Sequence, residues 1–250
     1  MQIIPLSEGA FTVDKTKQFV PFNTASDQLS ARPIGSLLVE IQPFAVITAK
    51  DIILLDTGLG YADADGGMQL HNNLRKAGIE PEKVTKVFMS HLHKDHAGGI
   101  TMDQQGIRKL SFPNATWYVQ RREFDFATGA GSSSYITEDF AALNDAANVV
   151  WLTEDEGMID GYIRYQMTGA HCKFHQVCWI EEDGKKTFFG GDVAPQLQQM
   201  KNRFVAKYDY DGRKCMELRK LWWDEGQREG WTFLFYHDIK TPVSVNNAEG

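Results

Sequence analysis

The sequence lacks the features that mark secreted and membrane-spanning chains. Only three of its 250 residues are cysteine, which is too few for a disulfide framework. No apolar run approaches the roughly 18 residues that a membrane span requires. The opening segment MQIIPLSEGAF has neither the basic nor the apolar region of a secretory signal. We therefore expect a cytoplasmic protein with no membrane partner.

Positive charge is also scarce. The chain has 26 lysines and arginines against 33 acidic residues, for a net charge of −7. Because nucleic acids and anionic membranes are bound by basic patches, we expect no nucleic-acid partner and a small molecule instead. A small anionic substrate stays compatible, since a bound metal can reverse the local field.

The length and composition fit one globular α/β unit. An apolar fraction of 42% is ordinary for a chain with a sizeable core, and 250 residues lie at the upper edge of one domain. We therefore predict a single domain over residues 1–250. No repeat or low-complexity tract interrupts it.

Predicted strands and helices are interleaved along the chain. KDIILLDTG predicts a buried strand, and QVCWIEEDGKKTFFGG predicts a hairpin around Asp183-Gly184. MQLHNNLRKAG predicts a helix that buries Leu70, Leu74 and Ala77, with His71 facing solvent. TEDFAALNDAAN predicts a helix with a threonine cap, and GRKCMELRKLWWDEG an amphipathic helix. This mixture favours two sheets covered by helices.

Two irregular stretches are candidate walls of a pocket. They are VPFNTASDQLSARPIG, residues 20–35, and GAGSSSY, residues 129–135. Three aromatic residues on or beside them are candidates for lining that pocket: Phe19, Phe22 and Tyr135.

Four ligand-type residues lie within SHLHKDHAGG, which follows a predicted strand. Alternate residues of an extended chain point the same way, so His91 and His93 can bind one ion. Asp95 and His96 follow where the chain turns and could serve a second ion. Four ligands leave two ions incompletely coordinated, so further ligands must come from elsewhere.

Three further candidates follow other predicted strands. His171 follows YIRYQMTGA, Asp192 follows KKTFFGG, and His237 follows WTFLFY. His175 is the alternative to His171. The spacing of the first cluster rarely arises by chance, and together these residues predict a metal site.

The motifs HLHKDH, TGAH, GGD and YHD resemble the signature of the metallo-β-lactamase-fold hydrolases. The segments IILLDTGLG and FPNATWYV are also similar to that family, so the resemblance covers nearly the whole chain. It implies an α/β fold, a four-layer αβ/βα sandwich with the site at one edge of two sheets.

The resemblance also implies seven ligands divided over two divalent metal ions. They are His91, His93 and His171 for the first ion, Asp95, His96 and His237 for the second, and Asp192 as a bridge. Asp56 would orient the ligand loop. The motif Thr168-Gly169-Ala170-His171 lacks the proline that the family usually has, and Pro195 stands where related lactonases have a tyrosine that helps polarise the substrate.

Two ions about 3.5–4 Å apart can share a water and lower its pKa toward neutrality. The implied reaction is hydrolysis of an ester, lactone or phosphotriester by a bridging hydroxide, with Asp95 as the catalytic proton carrier. Nitrogen and oxygen ligands suit zinc, and iron or manganese are alternatives. A diiron redox protein, a non-catalytic metal-binding module and a homodimer are possibilities that the sequence leaves open.

Overall fold

The computed structural model describes residues 1–104 and 106–246. The strands within this range are β1 Gln2–Pro5, β2 Gly9–Val13, β3 Phe19–Pro21, β4 Leu37–Ile41, β5 Phe44–Ile47, β6 Ile52–Leu55, β7 Lys86–Phe88, β8 Thr101–Gln104, β9 Ile107–Leu110, β10 Thr116–Gln120, β11 Val149–Leu152, β12 Glu156–Ile159, β13 Ile163–Met167, β14 Gln176–Glu182, β15 Lys185–Phe189, β16 Thr232–Leu234 and β17 Val243–Val245. The helices are α1 Gln69–Lys76, α2 Lys94–Ala97, α3 Arg121–Gly129, α4 Thr137–Phe140, α5 Leu197–Lys201 and α6 Gly212–Glu229. No helix in this part of the chain is long and apolar enough to cross a membrane.

Two six-stranded sheets form the centre of the fold. Their strand orders are β1-β5-β6-β7-β10-β11 and β12-β13-β14-β15-β16-β17. Smaller sheets of order β3-β2-β4 and β8-β9 flank them. The predicted mixed α/β architecture of two sheets covered by helices is confirmed.

Alternating residues of the central strands divide between layers of core. In β6, Ile53 and Leu55 join a cluster shared by the two sheets, while Leu54 faces a cluster that includes Leu70 and Leu74 of α1. In β14 and α6, Trp179 and Trp222 belong to a third cluster on the far side of the second sheet. This period-two alternation produces helix, sheet, sheet and helix layers.

The carboxyl ends of several strands meet at one edge. Strand β6 pairs parallel to β7, and β15 pairs parallel to β16. Because β14 is antiparallel to both β13 and β15, β13 runs in the same direction as β15 and β16. The loops after β7, β13, β15 and β16 carry the histidines and aspartates predicted as ligands.

The hairpin turn has the conformation that its sequence predicts. Asp183 and Gly184 have φ of 52° and 70°, which are the paired positive values of a type I′ turn. The long amphipathic helix is also confirmed: Asp211 caps it by accepting from the Lys214 backbone at 2.9 Å, and Gly230 ends it in the left-handed region.

The exposed face of α1 differs from the prediction. His71 is buried, with its ring 4.9 Å from that of Phe112, and Ala77 is exposed. His71 lies three residues before Leu74, so it shares the buried stripe of the helix. The predicted solvent-facing histidine is therefore wrong.

The segment after Ile136 is a shorter helix than predicted. Helix α4 has four residues, and a 3₁₀ stretch, Ala141–Asp145, continues it. Ile136 occupies the cap position without a side-chain hydrogen bond, so the predicted threonine cap is wrong. Phe140 and Leu143 are both buried, and their spacing of three suits the 3₁₀ period.

Candidate metal centre

The loops at the shared strand edge bring together two groups of possible ligand atoms. The first group comprises His91, His93, His171 and Asp192, and the second comprises Asp95, His96, Asp192 and His237. Within each group the ligand atoms all lie within 4.8 Å of one another. Every residue predicted as a metal ligand therefore lies in one of these groups.

Asp192 faces both groups, one carboxylate oxygen to each. Its Oδ2 lies 3.2 Å from His171 Nε2 and 4.0 Å from His91 Nε2. Its Oδ1 lies 3.1 Å from His96 Nε2 and 3.0 Å from His237 Nε2. This is the arrangement that a carboxylate bridging two ions requires.

Asp95 completes the second group. Its Oδ2 lies 3.5 Å from His237 Nε2 and 3.7 Å from His96 Nε2, and its carbonyl oxygen accepts from the Tyr236 hydroxyl at 2.7 Å. The Tyr236 ring also stacks on His96 with ring centres 4.0 Å apart. Tyr236 therefore fixes two members of the group at once.

Buried polar atoms of the centre make no hydrogen bond within the described residues. They are His91 Nε2, His96 Nε2 and Asp192 Oδ1. Unpaired buried polar groups of this kind are costly, and cations held by the two groups would satisfy all three. The donor set thus fits divalent metal binding.

Charge in the centre is balanced between carboxylates and imidazoles. Burial lowers the pKa of His91 well below its usual value, helped by His96 and His93. Burial would also lower the pKa of His96, but Asp192, Asp95 and Asp56 together raise it well above the usual value. Burial opposes ionisation of Asp192, yet the pKa of Asp192 is held well below its usual value, chiefly by His237 and His96. The ionised Asp192 and neutral His91 are the protonation states that a metal needs.

Asp56 lies beneath the ligands with both carboxylate oxygens occupied. Its Oδ1 accepts from the Ser90 backbone at 2.6 Å, and its Oδ2 accepts from the Ser90 hydroxyl at 2.6 Å and lies 2.7 Å from His96 Nδ1. Although Asp56 also lies within 4.8 Å of His91 and His96 ligand atoms, these contacts suit a residue that orients the loop.

His175 is buried beside the first group, but its ring nitrogens have protein partners. Its Nε2 accepts from the Asp192 backbone at 3.2 Å, and its Nδ1 lies 3.3 Å from the Thr168 hydroxyl oxygen. The geometry therefore favours His171 over His175 as the ligand. The Nε2 atom of His171 faces His93 Nδ1 at 3.1 Å.

Two buried carboxylates that sequence reasoning missed also support the ligands. Asp209 Oδ1 lies 2.8 Å from His171 Nδ1. Glu123 accepts from the Leu92 backbone at 3.2 Å, from the Tyr135 hydroxyl at 3.1 Å and from the Cys172 thiol at 3.4 Å. A histidine ligand commonly needs a carboxylate in the position of Asp209, and Glu123 holds residues adjacent to His91, His93 and His171. No spacing in the sequence distinguishes these two from the other acids.

Glycines pack the ligand loop against its neighbour. A Cβ built on Gly99 would overlap the Thr57 carbonyl oxygen, and one on Gly98 would overlap that of Leu59. Gly98 itself has an ordinary helical conformation, with φ of −58°. These glycines are therefore required for close backbone approach.

A cavity of about 450 Å³ opens on the centre. Ser132, Ser134 and Tyr135 line it, which confirms residues 129–135 as a pocket wall. Phe19 also lines it, whereas Phe22 and the remainder of residues 20–35 are absent from its lining. The prediction for that longer loop is therefore wrong, because only its flanks reach the cavity.

Comparison with known proteins agrees with this geometry. The family model of the metallo-beta-lactamase superfamily matches residues 40–236. The N-acyl homoserine lactonase AttM of Azorhizobium caulinodans is 41% identical over 73 residues, which are 27% of this chain and 23% of that relative. The match thus spans about a quarter of the relative's length.

Two solved structures share the fold over nearly the whole chain. A probable metal-dependent hydrolase from Staphylococcus aureus has a TM-score of 0.79 at 23% identity, covering 98% of this chain and 91% of that one. AidC, a dizinc quorum-quenching lactonase in complex with a product, has a TM-score of 0.72 at 21% identity, with coverage of 99% and 91%. The family model, which matches well over half of the residues, shows that this chain belongs to the metallo-beta-lactamase superfamily.

Proposed function

We propose that the protein is a metal-dependent hydrolase that cleaves lactones or related esters at a centre of two divalent ions. The observation that carries this proposal is Asp192, whose two oxygens face separate groups of ligand atoms. The names of its relatives add support, since several are N-acyl homoserine lactonases.

Seven residues would hold the two ions. His91, His93 and His171 would bind the first, Asp95, His96 and His237 would bind the second, and Asp192 would bind both. Zinc is our proposed metal, because nitrogen and oxygen ligands suit it and AidC is a dizinc enzyme. Iron and manganese accept similar ligands.

A bound pair of divalent ions supplies a hydroxide nucleophile at neutral pH and a Lewis acid for the substrate carbonyl. The residues of the chain provide the rest of the mechanism. Asp95 lines the cavity and is placed to carry a proton from the nucleophile to the leaving oxygen. Asp56 and Asp209 fix the rings of His96 and His171, so the ligands need little reorganisation during the reaction.

The cavity limits the size of the substrate. A volume of about 450 Å³ lies in the range for small-molecule sites. Phe19, Leu38 and Tyr208 contribute apolar surface to it. We also propose a cytoplasmic location, because all three cysteines are buried and unpaired.

The direct test is an activity panel of lactones, aryl esters, phosphotriesters and β-lactams with the zinc-loaded protein. We expect chelator-sensitive turnover of a lactone or ester, and about 100-fold or greater loss in Asp95→Asn, as for loss of a general acid–base group. Asp145→Asn, at an exposed position, is the matched control and should keep full activity.

Two results would contradict the proposal. The first is absence of chelator-sensitive turnover on every substrate with both ions bound. The second is iron in the purified protein with a charge-transfer band and no hydrolysis, which would support the diiron redox alternative.

A further inference from the structure

Three lysines line the cavity that opens on the metal centre, although the whole chain carries a net charge of −7. They are Lys17, Lys94 and Lys173. The acidic residues of the lining are equal in number but all face histidines of the centre, and they are Asp95, Asp192 and Asp209. Two bound divalent ions would make the net charge of this lining positive, which favours an anionic ligand.

Lys94 lines this cavity. It follows His93 directly, its backbone donates to the Ser134 carbonyl oxygen at 2.8 Å, and its ammonium lies 5.9 Å from the centre of the Phe19 ring. Lys94 and Lys17 line the same cavity.

Lys17 reaches the same cavity from a tight turn before β3. Its backbone donates to the Asp14 carbonyl oxygen at 3.0 Å, and Asp14 Oδ1 accepts from the Thr16 backbone at 2.8 Å. Lys17 has a φ of 60°, in the left-handed region. The turn thus directs Lys17 toward the cavity, while Lys15 on the same turn is exposed and does not line it.

Neither Lys17 nor Lys94 has a carboxylate within 4 Å among residues 1–104 and 106–246. The Asp139 carboxylate instead pairs with Arg108 at 2.8 Å. Two ammonium groups without a counter-ion repel each other, and an anionic ligand between them would relieve that repulsion.

We propose that the substrates carry a carboxylate or phosphate group in addition to the scissile bond, and that Lys17 and Lys94 bind this group. The inference rests on the proposed hydrolase function and specifies its substrate class. The competing possibility is an uncharged substrate chain that packs on Val13, Leu37 and Val39. The two possibilities differ in the charge that the cavity selects.

The test uses three aryl esters with the same linear acyl chain, whose far end carries a free carboxylate, a phosphonate or a neutral methyl ester. The measured quantity is the ratio of kcat/KM for each anionic form to that of the neutral form. We expect a ratio of about 10 to 100 for at least one anionic form, as for a charge-assisted hydrogen bond. The ratio should fall as salt is added.

The variants Lys17→Gln and Lys94→Gln should each bring that ratio close to one. Lys15→Gln is the matched control, and it should keep the wild-type ratio. Metal content and the far-ultraviolet circular dichroism spectrum of each variant check that the centre and the fold are retained. Each ratio compares two substrates of the same protein sample, so it does not depend on the fraction of active molecules.

A wild-type ratio at or below one for both anionic forms would overturn the inference, as would ratios unchanged in both variants. Those results leave the hydrolase proposal intact, because the esters are still cleaved in a chelator-sensitive way. Failure of the hydrolase proposal looks different: none of the three esters would be cleaved. In that case, isothermal titration with glutarate tests the anion site separately. Weaker binding to Lys17→Gln than to the wild type would support the site, and equal binding would overturn it.

Discussion

At the scale of single residues, Asp209 has the clearest supporting contact. Its side chain is buried, and its Oδ1 lies 2.8 Å from His171 Nδ1. A carboxylate in this position sets the tautomer and the ring orientation of a metal-binding histidine. It acts through His171, and its role is therefore one of positioning.

We predict that Asp209→Asn weakens zinc binding at one of the two sites by about 10- to 100-fold, the usual effect of losing such a carboxylate. The measurement is a competition titration of the metal-free protein with a chromophoric zinc chelator. Asp224→Asn, on the exposed face of α6, is the control and should bind zinc as the wild type does. Equal affinities in all three proteins would refute a role for Asp209.

Glu8 is a second residue whose environment makes a prediction. It accepts from the Leu59 backbone at 2.6 Å while its Oε1 has no partner, and burial raises its pKa to about 8, against 4.5 for the free side chain. An acid whose pKa is higher in the folded than in the unfolded state contributes its full stabilisation at pH values below the unfolded-state pKa. That stability is lost as the pH rises from about 4.5 to about 8.

We therefore predict that Glu8→Gln gains stability relative to the wild type as the pH rises from 5 to 9, by roughly 3–5 kcal/mol at most. Urea unfolding of both proteins across that range measures the difference. Any loss of metal at low pH affects both proteins and cancels. A difference that does not change with pH would contradict a raised pKa of Glu8.

Residue chemistry at the site was largely predictable, because the spacing of histidines and aspartates is itself the signal. His91 and His93 lie at alternate positions of one loop, whereas Asp209 and Glu123 reach the ligand loops only through tertiary folding. The local pattern of a polar helix predicts a solvent-facing His71, because the packing of Phe112 against it depends on tertiary structure.

At the scale of elements, the loop after β7, which carries four of the ligands, packs backbone against backbone on the loop after β6. The segment after β6 and the segment after His96 approach each other so closely that only glycine fits at Gly60, Gly98 and Gly99. The Thr57 backbone and hydroxyl both donate to the His96 carbonyl oxygen at 2.8 Å. The position of the ligand loop therefore depends on this contact.

We predict that Gly99→Ala destabilises the protein by about 1–3 kcal/mol, as for overpacking of a tight contact, and lowers its bound metal. Gly129→Ala is the matched control, because nothing lies within 4 Å of a Cβ there. Thermal unfolding and metal analysis of both variants test this. If Gly99→Ala matches Gly129→Ala in both measurements, the close contact does not position the centre.

Long periodic elements were predictable, and short ones less so. The 18 residues of α6 carry a clear amphipathic pattern, and the hairpin of β14 and β15 has its turn residues in the sequence. Helix α4 has four residues, and the change from α-helix to 3₁₀ helix after it depends on the burial of Phe140. Residues 20–35 resemble a pocket wall in composition, yet their position relative to the centre is set by tertiary packing.

At the scale of the whole molecule, the metal centre joins the two sheets. Strand β7 of one sheet supplies the loop with His91 to His96, and β13, β15 and β16 of the other supply His171, Asp192 and His237. Metal ions bound there would cross-link the sheets. The fold class was predictable because each ligand motif follows the end of a strand along the chain. The single domain over residues 1–250 and the homodimer stay predictions.

We predict that removing both ions lowers the free energy of unfolding by about 5 kcal/mol when free zinc is 100-fold above the dissociation constant of each site, since each site contributes about 2.7 kcal/mol. Unfolding in urea with and without chelator measures the change, with zinc restored as the control. A protein of unchanged stability after complete metal removal would show that the centre does not cross-link the sheets.

The proposed hydrolase requires two ions that share Asp192. Titration of the metal-free protein with zinc, with binding and hydrolysis of a lactone or aryl ester followed together, examines this requirement. We predict two zinc ions per chain, with activity that reaches its maximum only as the second site fills. Saturation at one ion with full activity, or two bound ions without any hydrolysis, would contradict it.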